Sequence, residues 1–235
     1  MHNDSFVQPD DQLMKTALVI GASRGIGHEF VAQLLNLGYS VYATARQQVD
    51  VEKLNQLGSI GLELDVSSPS SVAGLGWHLD GIKVDLCLYV AGVYGPNLGA
   101  TEVPNSSDFD AVMHVNVLGA MQLIPLIAPV LEASRGKFIF ISSLMGSIEA
   151  TQSSFGWIYR TSKAALNMAV KAAAFDYPNA ILTLMNPGWV QTAMGGTQAP
   201  TTPSASVAGM LTVIEGLTLK DSGTFKSFDQ RAMSW

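Results

Sequence analysis

The sequence predicts a single-domain α/β fold: a doubly wound, mostly parallel sheet of seven strands with helices on both faces. Three observations predict it. Short apolar runs alternate with helical patterns, and strand–helix alternation implies a parallel sheet covered on both sides. The intervals between the runs are long enough for crossover helices. The chain has 235 residues, 48% hydrophobic and 14% charged. That fits one large domain with a sizeable core better than two small domains or a disordered chain.

Ala17–Ile20 reads as the first strand. Phe30, Val31, Leu34 and Leu35 form a helical stripe ending near Gly38. Ser40–Thr44 reads as the second strand and Gly61–Leu64 as the third. Ser68-Pro69 has the form of an N-cap followed by proline at the first helical position. Leu86–Val90, Lys137–Ile141, Ala180–Met185 and Thr224–Phe228 read as strands four to seven.

Residues 1–14 read as a polar N-terminal extension without the apolar segment of a signal peptide, and 15–235 as the domain. No run approaches membrane-spanning length; the longest, Leu123–Leu131, contains Pro125 and Pro129. Residues 189–206, rich in Gly, Thr, Pro and Ser toward their end, read as a mobile flap after the sixth strand. A net charge of −6 with no basic tract argues against nucleic acid or an anionic membrane as the main partner. Cys87 is the single cysteine, which precludes an intrachain disulfide and reads as a buried structural thiol. The four histidines have no metal-ligand spacing, so no metal site is expected. The whole reads as a soluble, cytoplasmic protein.

Two stretches carry chemistry. Gly21, Gly25 and Gly27 lie where the first strand turns into the first helix. Glycine there permits a tight turn and a close approach of backbone to pyrophosphate, and the helix N-terminus offers free N–H groups. A glycine-rich turn closing any βα unit has the same appearance. At the end of the second strand, where a carboxylate would bind the ribose 2′-hydroxyl of NAD, the chain reads Ala43-Thr44-Ala45-Arg46. Arg46 and Arg24 are therefore expected to favour the 2′-phosphate of NADP(H), with NAD(H) also admissible; the alternative is a pair of solvated surface charges. Asp65 and Val66, ending the third strand, are placed to meet adenine, or Asp65 to cap a helix.

The second stretch places Tyr159 four residues before Lys163 in a helical segment, so the two share a face. A nearby ammonium is expected to lower the phenol's pKa toward neutrality, and such a phenol can exchange a proton with a carbonyl oxygen. The alternative is an exposed helical pair.

Over nearly its full length the chain resembles the short-chain dehydrogenase/reductase family. Ile20-Gly-Ala-Ser-Arg-Gly-Ile-Gly27 resembles the family's cofactor loop, Tyr159-Arg-Thr-Ser-Lys163 its Tyr-x-x-x-Lys, Ile141-Ser-Ser143 its serine-bearing strand end, and Asn186-Pro-Gly-Trp-Val-Gln-Thr192 its nicotinamide-side loop. Ser143-Leu-Met-Gly-Ser-Ile148, Gly156-Trp157 and the ending Asp221-Ser-Gly-Thr-Phe…Trp235 resemble the C-factor-like branch, which includes sniffer-type carbonyl reductases.

The resemblance implies a Rossmann fold and an NADP(H)-dependent oxidoreductase acting on a carbonyl or alcohol, with a C-factor-like signalling or regulatory protein as the alternative. It implies Tyr159 as acid/base, Ser143 (in preference to Ser142) on the substrate carbonyl, and Lys163 on the nicotinamide ribose. Asn116 would hold a water beside Lys163, or be a satisfied helix-interior amide. Cofactor contacts would come from Gly21, Ser23, Arg24, Gly25, Ile26, Gly27, Arg46, Asp65, Val66, Ala91, Gly92, Pro187, Gly188, Val190 and Thr192, besides Tyr159 and Lys163.

Two departures stand out. Ile20 replaces the usual threonine before the first glycine, and Tyr89-Val90 replace two asparagines; both are expected to remove polar support. Val93–Gly95, Ile148–Phe155 and Trp189–Thr202 would wall a pocket for an apolar aldehyde or ketone, with Tyr94, Phe155, Trp157, Trp189 and Met194 as its large side chains. The helices bearing Asn116 and Tyr159 would build a homodimer interface, unless the protein is a monomer, and Pro125 and Pro129 would bend or shorten the first of them.

Overall fold

A computed structural model describes residues 14–235, so most of the N-terminal extension expected at 1–14 lies outside the described residues. Seven strands form one sheet: β1 (Thr16–Ile20), β2 (Ser40–Ala45), β3 (Ile60–Glu63), β4 (Leu86–Tyr89), β5 (Lys137–Ile141), β6 (Ile181–Asn186) and β7 (Phe225–Ser227). Their spatial order is β3-β2-β1-β4-β5-β6-β7. Every strand pair is parallel, so the sheet is wholly rather than mostly parallel. The order reverses between β1 and β4, which opens a crevice beyond their carboxyl ends.

The central strands are buried on both faces, as a parallel sheet under two helical layers requires. The helices are α1 (Gly25–Asn36), α2 (Gln48–Gln56), α3 (Pro69–Leu79), α4 (Ser106–Met113), α5 (Gly119–Ser134), α6 (Trp157–Ala173) and α7 (Pro203–Gly216). The core on one face combines Leu18, Tyr89 and Phe138 of the sheet with Leu123 and Ile127 of α5 and Leu166 of α6. The core on the other combines Val19 and Leu88 with Phe30, Val31 and Leu34 of α1 and Met210 of α7.

Ser68 caps α3 by accepting from Ser71 N, with Pro69 in the first turn. Gly38, at φ +82°, turns the chain after α1 in the left-handed region that costs glycine nothing.

Pro125 and Pro129 do not shorten their helix. Each lies inside α5 on its exposed face, as does Met121. The carbonyls that the two prolines leave without an N–H partner are those of Met121 and Pro125, four residues earlier, where solvent can serve them. A π-helical turn, His114–Leu118, joins α4 to α5, and Gly119 N donates to His114 O. The resulting stretch Ser106–Ser134 is long and apolar enough to cross a membrane, contrary to the sequence expectation; its best window has mean hydropathy 1.7, but half of that window is buried inside the protein.

The segment expected as a flap is tied internally. Val190 and Thr201 form a β-bridge, Gln191 N donates to Thr201 O at 2.8 Å, and the Trp189 indole N–H donates to Gly195 O at 2.7 Å. The helix α7 begins at Pro203, within the range assigned to the flap, because Thr202 caps it by accepting from Ala205 N.

Candidate active site

Most of the expected site residues follow the carboxyl ends of the strands, Asn116 lies in the π turn, and Tyr159 and Lys163 lie on α6; Arg24 and Arg46 are exposed. The glycine loop leaves β1 and enters α1. A Cβ on Gly21 would lie 2.6 Å from Ala91 N, and one on Gly27 would lie 2.1 Å from Gly21 O. Both distances are far below van der Waals contact, so the loop has its shape only with glycine there. Gly27→Ala is expected to lower stability by roughly 1–3 kcal/mol through overpacking, measurable as a fall in melting temperature.

Gly25, at φ +57°, opens α1, whose first N–H groups have no intrahelical partner. A Cβ there would meet Thr192 at 3.3 Å, so the loop after β6 lies against the glycine loop. In that loop Val190 is buried, Pro187 O accepts from Ser206 Oγ at 2.7 Å, and Gly188, at φ +80°, packs under the Phe228 ring. Ala91 and Gly92 form the crevice's other wall. A compact backbone cradle with free N–H groups and close glycines fits a dinucleotide pyrophosphate.

Ile20 costs the loop less than its side chain suggests. Gly21 N donates to Thr44 Oγ1 at 3.1 Å, and Ala22 N donates to Thr44 O at 2.7 Å. The wholly buried Thr44, on the neighbouring strand, thus ties the loop. Its signal in the sequence was weak, since β2 also carries the hydroxyls of Ser40 and Tyr42.

At the ends of β2 and β3, Arg46 lies close enough to Asp65 to help hold its carboxyl below the usual carboxylate range; the Ser67 hydroxyl bond is the larger cause. Asp65 accepts from Ser67 N and Oγ and does not cap α3, a place Ser68 occupies. Among the described residues neither Arg24 nor Arg46 forms an ion pair. Ser23 is exposed at the loop, Ile26 half-buried, and Val66 buried.

Beyond β5, Ser142 turns inward and donates to Asn167 Oδ1 at 2.6 Å, whereas Ser143 is half-buried beside Tyr159. Asn167 Nδ2 donates to Gly146 O, and Asn186 Oδ1 accepts from Leu144 N at 3.1 Å, so two asparagines fix the turn that carries Ser143. The sequence reading assigned neither asparagine a role, since their partners lie on other elements.

Tyr159 and Lys163 are both almost wholly buried on α6. Lys163 Nζ lies 5.6 Å from the Tyr159 ring centroid and donates to Ile141 O at 2.8 Å. Desolvation pulls the Lys163 pKa down to about 8. It also pushes Tyr159 up to about 12, against the opposing effect of the Ser143 hydroxyl. This corrects the expectation of a phenol lowered toward neutrality: burial penalises the charged form of each group and is the largest cause for both.

Asn116 is fully buried in the π turn. Its Oδ1 accepts from Val93 N at 2.8 Å, while its Nδ2 donates to Val93 O and to Ser162 Oγ, each at 2.9 Å. The Ser162 hydroxyl donates in turn to Tyr159 O at 2.8 Å. The amide is therefore spent on positioning, and it supports the loop after β4 from the side. A Cβ on Gly92 would lie 3.4 Å from Asn116 Oδ1 and 3.7 Å from Lys163 Nζ, so Gly92 sits between them.

Tyr94 stacks on Tyr159, centroids 4.7 Å apart at 27°, and so forms a wall against the phenol. Phe155, Trp157, Trp189 and Met194 are exposed. A cavity of about 380 Å³ between Met145–Ser154 and the Trp157–Ala164 flank of α6 has neither Ser143 nor Tyr159 in its lining, so it is not where a carbonyl would react.

A parallel sheet with a glycine-lined dinucleotide cradle and a serine–tyrosine–lysine cluster beside it defines a nicotinamide-dependent oxidoreductase of the Rossmann type. The profile of the short chain dehydrogenase family matches residues 15–202, and the chain belongs to that family. It is a dehydrogenase/reductase of carbonyl and alcohol groups. Relatives place it near the C-factor and sniffer branch. It is 36% identical to the C-signal of Myxococcus xanthus over 155 residues, covering 65% of this chain and 93% of that one. The carbonyl reductase Sniffer of D. melanogaster superposes with a TM-score of 0.87 at 27% identity, over 94% of this chain and 100% of that one. An NADPH-bound carbonyl reductase from chicken fatty liver superposes with a TM-score of 0.85 at 30% identity, over 94% and 99%.

Proposed function

We propose that the protein is an NADP(H)-dependent carbonyl reductase for apolar aldehydes or ketones. The observation that carries this reading is the clustering of half-buried Ser143 with buried Tyr159 and Lys163 at the mouth of the glycine-lined crevice. NADP(H), held there, supplies or accepts the hydride. Ser143 holds the carbonyl oxygen, and Tyr159 gives it a proton. A phenol with a pKa of about 12 is protonated at neutral pH, which is the form carbonyl reduction needs. Lys163 orients the ribose, and its ammonium favours negative charge on the phenol oxygen as the proton leaves. The main-chain groups of Gly21–Gly27 cradle the pyrophosphate, with Ser23 and Ile26 in the same loop. Asp65 and Val66 flank the adenine, while Ala91, Gly92, Pro187, Gly188, Val190 and Thr192 shape the nicotinamide end. Tyr94 stacked on Tyr159, with exposed Phe155 just before α6 and exposed Trp189 and Met194 in the segment after β6, suits an apolar substrate body.

Arg24 and Arg46 support NADPH over NADH, since β2 ends without a carboxylate and both guanidiniums stand free of ion pairs among the described residues. Replacing both by alanine is expected to raise KM for NADPH about 10- to 100-fold, the loss of charge-assisted hydrogen bonds, with little change for NADH. Steady-state kinetics with both cofactors, over a panel of aldehydes, ketones and quinones, test the reading. Absence of NADPH oxidation across the panel would overturn it.

The 36% identity to the C-signal favours one second reading, a signalling or regulatory protein in which cofactor binding matters and turnover is incidental. Under that reading a Tyr159→Phe chain keeps its biological effect without turnover.

A further inference from the structure

Tyr89 stands where the family carries an asparagine, and its surroundings give it a task. It ends β4, paired with Ile20 of β1 on one side and Phe140 of β5 on the other. Its side chain is wholly buried and its ring packs against Phe140, centroids 6.0 Å apart. Its hydroxyl donates to Val115 O at 2.5 Å.

Val115 lies inside His114–Leu118, the one π-helical turn among the described residues. A π turn carries one residue more than the regular α-helical ladder, and the Tyr89 hydroxyl braces one of its carbonyls from outside the helix. Room for the hydroxyl is built in. A Cβ on Gly119 would lie 2.7 Å from the Tyr89 hydroxyl oxygen, so the glycine that follows the π turn is what lets the phenol in. Burial also pushes the phenol well above its ordinary pKa, so it remains a donor throughout the working pH range.

The residue after Val115 is Asn116. Each residue advances a helix by about 100°, so adding or removing the extra residue of the π turn swings neighbouring side chains by about that angle. In the observed register the Asn116 amide meets both Val93 N and Val93 O and reaches Ser162 Oγ, which bonds the main chain of Tyr159. A relaxed α-helical register would carry the amide away from all three. One path of bonds thus runs from the end of β4, through the π turn, to the helix bearing Tyr159 and Lys163.

We propose that Tyr89 is a positioning residue for the reaction: its buried hydroxyl holds the π turn that aims Asn116, and through Asn116 and Ser162 it sets the catalytic face of α6. This inference rests on the carbonyl reductase reading above. It turns the departure at this position from a loss of polar support into a substitute device, a phenol bracing the helix opposite the strand.

The test is Tyr89→Phe in the full chain, which removes one oxygen and keeps the packing. The expected result is a fall in kcat of about 10- to 100-fold with the apparent pKa of the pH–rate profile displaced, as for a sub-ångström to ångström misplacement of reacting groups. NADPH affinity is expected to stay within about twofold, since the glycine loop is untouched. The same kcat and pH profile as the wild type, even with a lower melting temperature, would overturn the proposal and leave Tyr89 a packing residue. In an Asn116→Ala background the Tyr89→Phe change is expected to have little further effect; full additivity would also overturn the proposal. Should Tyr89→Phe be insoluble, Tyr89→Met, which removes the same hydroxyl and keeps a long apolar side chain, carries the same expectations. Failure of the parent reading is distinguishable, because there the wild type itself would not oxidise NADPH.

Discussion

Tyr159→Phe will remove turnover by about 10²- to 10⁴-fold, the usual contribution of a positioned general acid, while leaving the fold and NADPH affinity unchanged. The variant keeps the ring that stacks on Tyr94 and loses one buried oxygen, so circular dichroism and a fluorescence titration with NADPH are expected to match the wild type. Loss of kcat without loss of affinity is the signature of an interaction made in the transition state. Near wild-type turnover would remove Tyr159 from the chemistry.

The pH dependence carries a second signature. With Tyr159 at about 12, the phenol is protonated throughout the physiological range, and carbonyl reduction needs no preceding ionisation. Lys163, at about 8, loses its ammonium as pH rises through that value. Reduction is therefore expected to be fastest on the acid side and to fall above pH 8. Alcohol oxidation must first take the proton from the phenol, so its rate is expected to climb with pH. Rate profiles in both directions check these opposite slopes.

Lys163→Met is expected to abolish useful turnover and, at the same time, to stabilise the protein. The ammonium is buried, with Ile141 O as its hydrogen-bond acceptor, and desolvation lowers its pKa. A pKa lowered from 10.5 to about 8 means that the folded state holds the charged lysine at a cost of about 3 kcal/mol at neutral pH, by the free-energy equivalent of a pKa unit. Losing the bond to Ile141 O offsets about 1 kcal/mol, so the net gain is about 2 kcal/mol. That corresponds to a melting temperature higher by roughly 4–8 °C in a chain of this size.

The sign follows from linkage. Between pH 8 and 10.5 the unfolded chain binds the proton that the folded lysine has released, so wild-type stability rises with pH across that window. The advantage of methionine is thus complete below pH 8 and gone by 10.5. Thermal unfolding of both proteins at several pH values measures it. An advantage that does not change with pH would mean that packing, not charge, separates them. A stabilised but inactive variant is what a lysine retained for chemistry predicts.

The strand and helix pattern, the glycine loop, and the pairing of Tyr159 with Lys163 could be read along the chain because each is local. Apolar runs, a turn between strand and helix, and a four-residue helical spacing have meaning within a few residues. Only the tertiary structure showed how Ile20 and Tyr89 are accommodated. Thr44, 23 residues beyond Gly21, takes over the loop's hydroxyl, and the Tyr89 hydroxyl reaches across 26 residues to Val115. Ser142 and Ser143 are adjacent and chemically identical, and their different partners depend on Asn167 and Tyr159, which lie on α6. The continuous helix through Pro125 and Pro129 depends on which of its faces meets water.

The direction of the Tyr159 pKa is the clearest case. The sequence determined that an ammonium stands one helical turn from the phenol. The fold decided that both are enclosed, and desolvation, which depends on every neighbouring element and on no local spacing, then governs both groups.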